Sequence, residues 1–171
     1  METQWRQVGD RMAQPALAEP PPSSRWFIVG YLFLNNTRVK LDDRGRFAVS
    51  ATDFDQLRHG DEAVDVIVAL GKDNQLEIWP RDAFESKALR MKEKADETND
   101  EYWLKALRRL TANAKMAQVD KQRRVALPVE LRKLAALPDG TDVAVNGCYD
   151  HIEVWIPEAF AAATNRAERD L

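Results

Sequence analysis

Arg38-Val-Lys-Leu-Asp-Asp-Arg-Gly-Arg46 and Ala117-Gln-Val-Asp-Lys-Gln-Arg-Arg124 are two versions of one basic, turn-like segment. Each opens a stretch that closes on Glu-x-Trp, at Trp79 and at Trp155. Asp42 and Asp120 lie 78 positions apart and the two tryptophans 76, so the copies differ in length by only two residues. Between these anchors the order of segments is kept. Arg46-Phe-Ala-Val-Ser-Ala answers Arg124-Val-Ala-Leu-Pro-Val, and Leu76-Glu-Ile-Trp-Pro-Arg-Asp-Ala-Phe84 answers Ile152-Glu-Val-Trp-Ile-Pro-Glu-Ala-Phe160. The chain is therefore read as one structural unit used twice.

Alternation of polar and apolar residues makes Arg38 to Leu41 and Arg46 to Val49 strands, with Asp42 to Gly45 as a tight hairpin between them. An aspartate entering such a turn accepts hydrogen bonds from amides two residues on, and Gly45 supplies the positive φ. Arg123 stands where the second copy would need that glycine, and a non-glycine residue there costs about 1–2 kcal/mol. Either the second turn differs in type or Arg123 is retained there despite the strain, and the second reading is preferred. A short helix follows each hairpin, Ala51 to Arg58 capped by Ser50 or Thr52, and Pro128 to Ala136 with the proline in its first turn. Two strands come next in each copy, Ala63 to Leu70 with Gln75 to Trp79, and Asp142 to Val145 with His151 to Trp155. Lys72-Asp73-Asn74 and Gly147 to Asp150 form the turns between them. Helices Arg81 to Ala95, Tyr102 to Asn113 and Pro157 to Arg169 complete the pattern, and Trp79 and Trp155 belong to the core.

Upstream, Trp26 to Leu34 is apolar and suits a strand ending in an Asn35-Asn36 turn. Residues 1–24 carry Pro15, Pro20, Pro21 and Pro22, a composition that supports no core and reads as a flexible arm. The expected division is an arm at 1–24, a first unit at 25–97 and a second at 98–171.

A formal charge of −3, taken alone, argues against nucleic acid. Its distribution argues the other way. Residues 38–46 hold Arg38, Lys40, Arg44 and Arg46 against Asp42 and Asp43, and residues 115–124 hold Lys115, Lys121, Arg123 and Arg124 against Asp120 alone. Phosphate responds to local positive density more than to the total. Catalysis finds little support, since His59 and His151 fall at different places in the two copies and no phosphate loop or nucleophile elbow occurs. Asp53, Asp55, Asp61 and Glu62 read as helix-end and loop charges. The single cysteine, Cys148, excludes an intramolecular disulfide and suits a reducing compartment. Cys148-x-x-His151 offers two metal ligands where a structural zinc site takes four, so neither metal nor cofactor is expected. No apolar run approaches a bilayer span.

The repeated Asp-x-x-x-Arg unit, with Phe33-Leu34, the Leu-Glu-Ile-Trp-Pro ending, the helix Asp100 to Thr111 and Leu127-Pro128-x-Glu130-Leu131-Arg132, resembles the MraZ family over about residues 33 to 165. The resemblance implies an α+β fold of two tandem swapped-hairpin units of the AbrB/SpoVT type, a double-split β-barrel, each unit ββαββ with appended helices and the two related by a pseudo-two-fold axis. It also implies a non-enzymatic cytoplasmic, nucleoid-associated regulator that binds short direct repeats of double-stranded DNA upstream of its own division and cell-wall gene cluster. The assembly would be a homo-oligomeric ring, an octamer or larger, away from membranes. By the motif, Asp42 and Asp120 shape the turns with Gly45, and Arg46 and Arg124 are required basic residues. Arg38, Lys40, Arg44, Lys121 and Arg123 join the DNA-binding set on charge and position. The competing expectation is an oligomeric interaction scaffold, or an antitoxin-like module, that keeps the fold without reading DNA.

Overall fold

The structure, a computed structural model, describes residues 30–58 and 64–169. The expected arm at 1–24, Trp26 to Val29 of the expected first strand, and His59, Asp61 and Glu62 lie outside the described residues. Elements run β1 (Asn36–Lys40), β2 (Arg46–Ala48), α1 (Ala51–Leu57), β3 (Val64–Leu70), β4 (Leu76–Pro80), α2 (Arg81–Thr98), α3 (Glu101–Ala112), β5 (Ala114–Val119), β6 (Arg124–Ala126), α4 (Val129–Leu134), β7 (Asp142–Cys148), β8 (His151–Trp155) and α5 (Pro157–Arg169). The fold is thus α+β, with the same ββαββ order twice.

All eight strands belong to one sheet, in the order β1-β7-β8-β4-β3-β5-β6-β2. β1 and β2, its two ends, are joined by only Leu41 to Gly45, and the Asp42 amide donates to the Arg46 carbonyl at 2.9 Å. A sheet whose two edges meet in this way is a nearly closed antiparallel barrel, which leaves little exposed strand edge. Exchanging the copies, β1 for β5, β2 for β6, β3 for β7 and β4 for β8, returns the same cyclic order. The two-fold relation expected of the repeats is therefore a property of the whole sheet.

The pairing corrects one local expectation. β1 and β2 meet only at their turn. β1 pairs along its length with β7, from Asn36↔Asn146 to Lys40↔Asp142, and β2 with β6, from Arg46↔Ala126 to Ala48↔Arg124. β5 in turn pairs with β3, from Val64↔Val119 to Ala69↔Ala114. Each copy lends its first strand to the other, so most backbone hydrogen bonds of the basic segments lie between copies.

Upstream, the expected strand Trp26 to Leu34 is reduced among the described residues to a single bridge, Phe33 to Tyr149. Asn35, at φ 82°, bends the chain, and β1 starts at Asn36 instead of a turn. Gly147 donates its amide to the Asn35 carbonyl at 2.8 Å, and a Cβ on Gly147 would stand 2.5 Å from the Phe33–Leu34 backbone. Gly147 and Cys148 consequently extend β7, and the turn expected over Gly147 to Asp150 shrinks to Tyr149-Asp150. Pro128 stands just before α4 as its N-cap instead of within its first turn.

Alternation along the strands explains the core. Leu41, Phe47, Leu76, Ile78, Val119, Val125, Ile152 and Val154 are all but sealed from solvent, and they come from matching positions of the two copies. On the opposite face of β4 and β8, each Glu-x-Trp motif closes on itself. Trp79 Nε1 donates to Glu77 at 2.9 Å and Trp155 Nε1 to Glu153 at 3.0 Å. The next helix covers each tryptophan with a phenylalanine edge, Phe84 at 6.4 Å and Phe160 at 6.0 Å between ring centroids. Glu77 and Glu153 are direct partners across β4 and β8. Ser50 caps α1 by accepting from the Asp53 amide, as its residue type predicts. Between copies, Asn99 in the left-handed region ends α2 and Asp100 caps α3, folding the two into a helical hairpin. No helix among the described residues is long and apolar enough to cross a membrane.

Candidate nucleic-acid interface

Both basic turns are built around one aspartate. Asp42 Oδ1 accepts from the Arg44 amide at 2.9 Å and the Arg46 amide at 2.8 Å, while Oδ2 accepts from Arg46 Nε at 2.7 Å. In the second copy, Asp120 Oδ1 accepts from the Gln122 and Arg124 amides, both at 2.9 Å, and Oδ2 from Arg124 Nε at 2.9 Å. The main chain closes each turn identically. Gly45 donates to the Asp42 carbonyl at 3.0 Å and Arg123 to the Asp120 carbonyl at 2.8 Å. Gly45 sits at φ 67° and Arg123 at φ 64°, so the second turn has the same form as the first without its glycine.

These bonds set the acids. The Arg46 amide, followed by the other Arg46 and Arg44 interactions, holds Asp42 down to about 2 against an opposing desolvation. The Arg124 amide foremost, with the Arg124 side chain and the Gln122 amide, likewise keeps Asp120 below the ordinary carboxylate value. Each acid stays ionised, and each ionised acid braces its arginine.

The basic residues then divide into two kinds. Arg46 and Arg124 are ion-paired to their own aspartates, with 26% and 37% of their side chains exposed. Arg44, Lys121 and Arg123 are exposed on the turns, and Arg38 and Lys40 are exposed on β1. Among the described residues no ion pair engages any of these five within the chain. Period-two alternation puts Arg38 and Lys40 on one face of β1 while Val39 packs against the core.

The turns are tied to each other as well. The Leu127 amide donates to the Gly45 carbonyl at 3.1 Å, and the Val49 amide to the Arg123 carbonyl at 2.8 Å. Because β2 and β6 run antiparallel, the turns flank opposite ends of one three-residue ladder. Arg46 and Arg124 are offset there by two residues, roughly 7 Å along the strand.

One positioning residue escaped assignment from the sequence. Arg132, buried in α4, donates to the Leu127 carbonyl at 3.1 Å, the Leu137 carbonyl at 3.3 Å and Asp139 at 2.6 Å. Its guanidinium lies over Gly45, where a Cβ would fall 2.2 Å from Cζ. A side chain at position 45 would have to displace this hydrogen-bonded guanidinium, in addition to adopting the positive φ. The signal was present in Leu127-Pro128-x-Glu130-Leu131-Arg132, but nothing in that string shows that it crosses to the other copy's turn.

The family model described as "MraZ protein, putative antitoxin-like" matches residues 32–104. Proteins named "Transcriptional regulator MraZ" from Mycolicibacterium smegmatis, Mycobacterium tuberculosis strain H37Rv and Mycobacterium ulcerans are each 32% identical over 151 residues, spanning 82% of this chain and 99% of the relative. With the duplicated Asp-x-x-x-Arg turns, the exchanged first strands and this likeness along most of its length, the chain belongs to the MraZ family.

Proposed function

We propose that this protein is a transcriptional regulator in the cytoplasm that binds short direct repeats of double-stranded DNA upstream of its own division and cell-wall gene cluster, as a closed ring of eight or more subunits. The observation that carries the reading is the pair of Asp-braced turns with matching hydrogen bonds whose exposed cations, Arg44 on one and Lys121 and Arg123 on the other, have no ion-pair partner in the chain among the described residues. Mycobacterial relatives named as transcriptional regulators support the same direction.

Roles follow from the chemistry. Ionised Asp42 and Asp120 stiffen the turns through Arg46 and Arg124, so little order has to be created when DNA arrives. Unpaired Arg44, Lys121 and Arg123, with Arg38 and Lys40 on β1, supply phosphate attraction by displacing condensed counterions. Arginine can in addition bond the O6 and N7 edge of guanine, which gives a route to sequence preference. Repeating the pair of turns around a ring multiplies weak contacts along tandem sites. Holding Arg123 at positive φ against about 1–2 kcal/mol of strain favours a working role for its side chain.

A gel-shift titration on the DNA upstream of the gene, run at two salt concentrations, tests the reading. Native protein should weaken steeply as salt rises, and Arg44→Ala with Arg123→Ala should weaken binding by at least about tenfold while flattening the salt slope. Light scattering should report the same oligomer of eight or more subunits for both. Unchanged binding by the double variant would remove these side chains from the interface. Absence of any salt-sensitive shift would favour the interaction scaffold.

A further inference from the structure

A second cluster of reactive side chains lies away from the basic turns, at the closed end of the β7–β8 hairpin. Cys148 pairs with His151 and Asn146 with Glu153 across this hairpin, so the alternation of the strands puts all four on one face. Tyr149, at φ 64°, makes the connection tight enough to hold Cys148 directly opposite His151. One ligand atom each from Cys148, His151 and Glu153 lies within 4.8 Å of the other two.

The free atoms of these groups are selected by their other bonds. His151 Nδ1 contacts Asp150 at 2.8 Å, leaving Nε2 turned toward Glu153 Oε1 at 3.7 Å, too far for a hydrogen bond. Glu153 Oε2 is already occupied, accepting from Trp155 Nε1 at 3.0 Å and Asn146 Nδ2 at 3.3 Å, so Oε1 remains. The imidazole is stacked on Trp79 with 4.1 Å between centroids, which fixes the direction of Nε2. A carboxylate on the far nitrogen of a histidine is the arrangement that orients and strengthens an imidazole ligand.

We infer that Cys148 Sγ, His151 Nε2 and Glu153 Oε1 form a binding site for one divalent cation of the zinc class, with water completing the coordination. Zinc bonds of about 2.3 Å to sulfur and about 2.0–2.2 Å to nitrogen or oxygen put neighbouring tetrahedral ligands roughly 3.3–3.7 Å apart. The His151–Glu153 separation, 3.7 Å, is within a few tenths of an ångström of the nitrogen–oxygen spacing such a site needs. The three residues offer ligand atoms within 4.8 Å of one another, and rotation of the exposed Cys148 side chain can close what remains.

Charge favours the same occupant. Glu77, Glu153 and Asp150 gather three carboxylates around the site. Lys87 is the cation committed to them, 3.4 Å from Glu77 and 4.2 Å above the Trp79 ring. Lys105 and Arg109, farther out on α3, are engaged with Glu101 and with the Lys72 carbonyl. A dication would relieve the repulsion between Glu77 and Glu153, and the Cys148 proton would leave to solvent as the thiolate forms.

Titration of chelator-treated full-length protein with cobalt(II) reads the site directly. The expected result is saturation at one equivalent per chain with a thiolate-to-cobalt charge-transfer band, reversed by zinc and absent from Cys148→Ser. Asp150→Asn should weaken zinc by about 10–100-fold, read against the melting of its own metal-free form so that loss of the Asp150–His151 contact is counted separately. Lack of the band, its survival in Cys148→Ser, or uptake that does not saturate would overturn the inference. Cys148 is exposed, so the serine variant should fold, and its metal-free melt compared with native protein verifies this.

Discussion

Asp42 does two jobs with one carboxylate, ordering two amides through Oδ1 and an arginine through Oδ2. Its charge is what makes this possible, because acceptor strength falls on protonation. A folded-state value depressed below the ordinary 3.8 means that this stabilisation is complete above about pH 4 and is lost as pH falls toward about 2. Carboxyl NMR titration should place the Asp42 midpoint near 2 and that of Asp120 below the usual aspartate range. An Asp42 midpoint near 4 would mean that the turn is not braced this way in solution. The same residue pattern was legible in the sequence, since Asp-x-x-x-Arg is local chemistry. Its consequence for Arg46 and Arg124 was not, as a spacing of four shows that the groups can meet but not that both arginines are ion-paired to their own aspartates.

β7 illustrates how an element's limits depend on what lies beside it. Gly147 and Cys148 looked like turn residues, yet they continue the strand because Phe33 and Asn35 supply partners from the other copy. Gly147 has to be glycine there, with backbone atoms of Phe33 and Leu34 2.5 Å from any added Cβ. Gly147→Ala should therefore destabilise the protein by about 1–3 kcal/mol in denaturant unfolding, the usual range for overpacking against atoms that cannot rotate away. An unchanged midpoint would show that the strand entering β1 is free to withdraw. Helices were easier to read. Ser50 carries its capping signal in its own residue type, and α1 starts where that signal stands, whereas α2 runs three residues past its expected end, to Thr98 with Asn99 as its C-cap.

Across the whole molecule, the exchange of first strands makes the copies interdependent. β1 has its long ladder on β7 and β5 on β3, so neither half retains a complete sheet when separated. Fragments 25–97 and 98–171 should each lack a cooperative thermal transition and regain one on mixing, as followed by circular dichroism. Cooperative folding of either fragment alone would contradict the interlocked arrangement.

Duplication, α+β class, turn chemistry and clustered charge were all present in residue order, because each depends on neighbours a few positions away or on comparing one copy with the other. Strand exchange and the barrel entered only through the family resemblance, and the partner of each strand, the packing of Arg132 on Gly45 and the convergence of Glu153 on Cys148 and His151 were not present there. These arise from contacts between segments remote along the chain, and an alternating pattern states which side of a strand is buried without naming the strand that lies beside it.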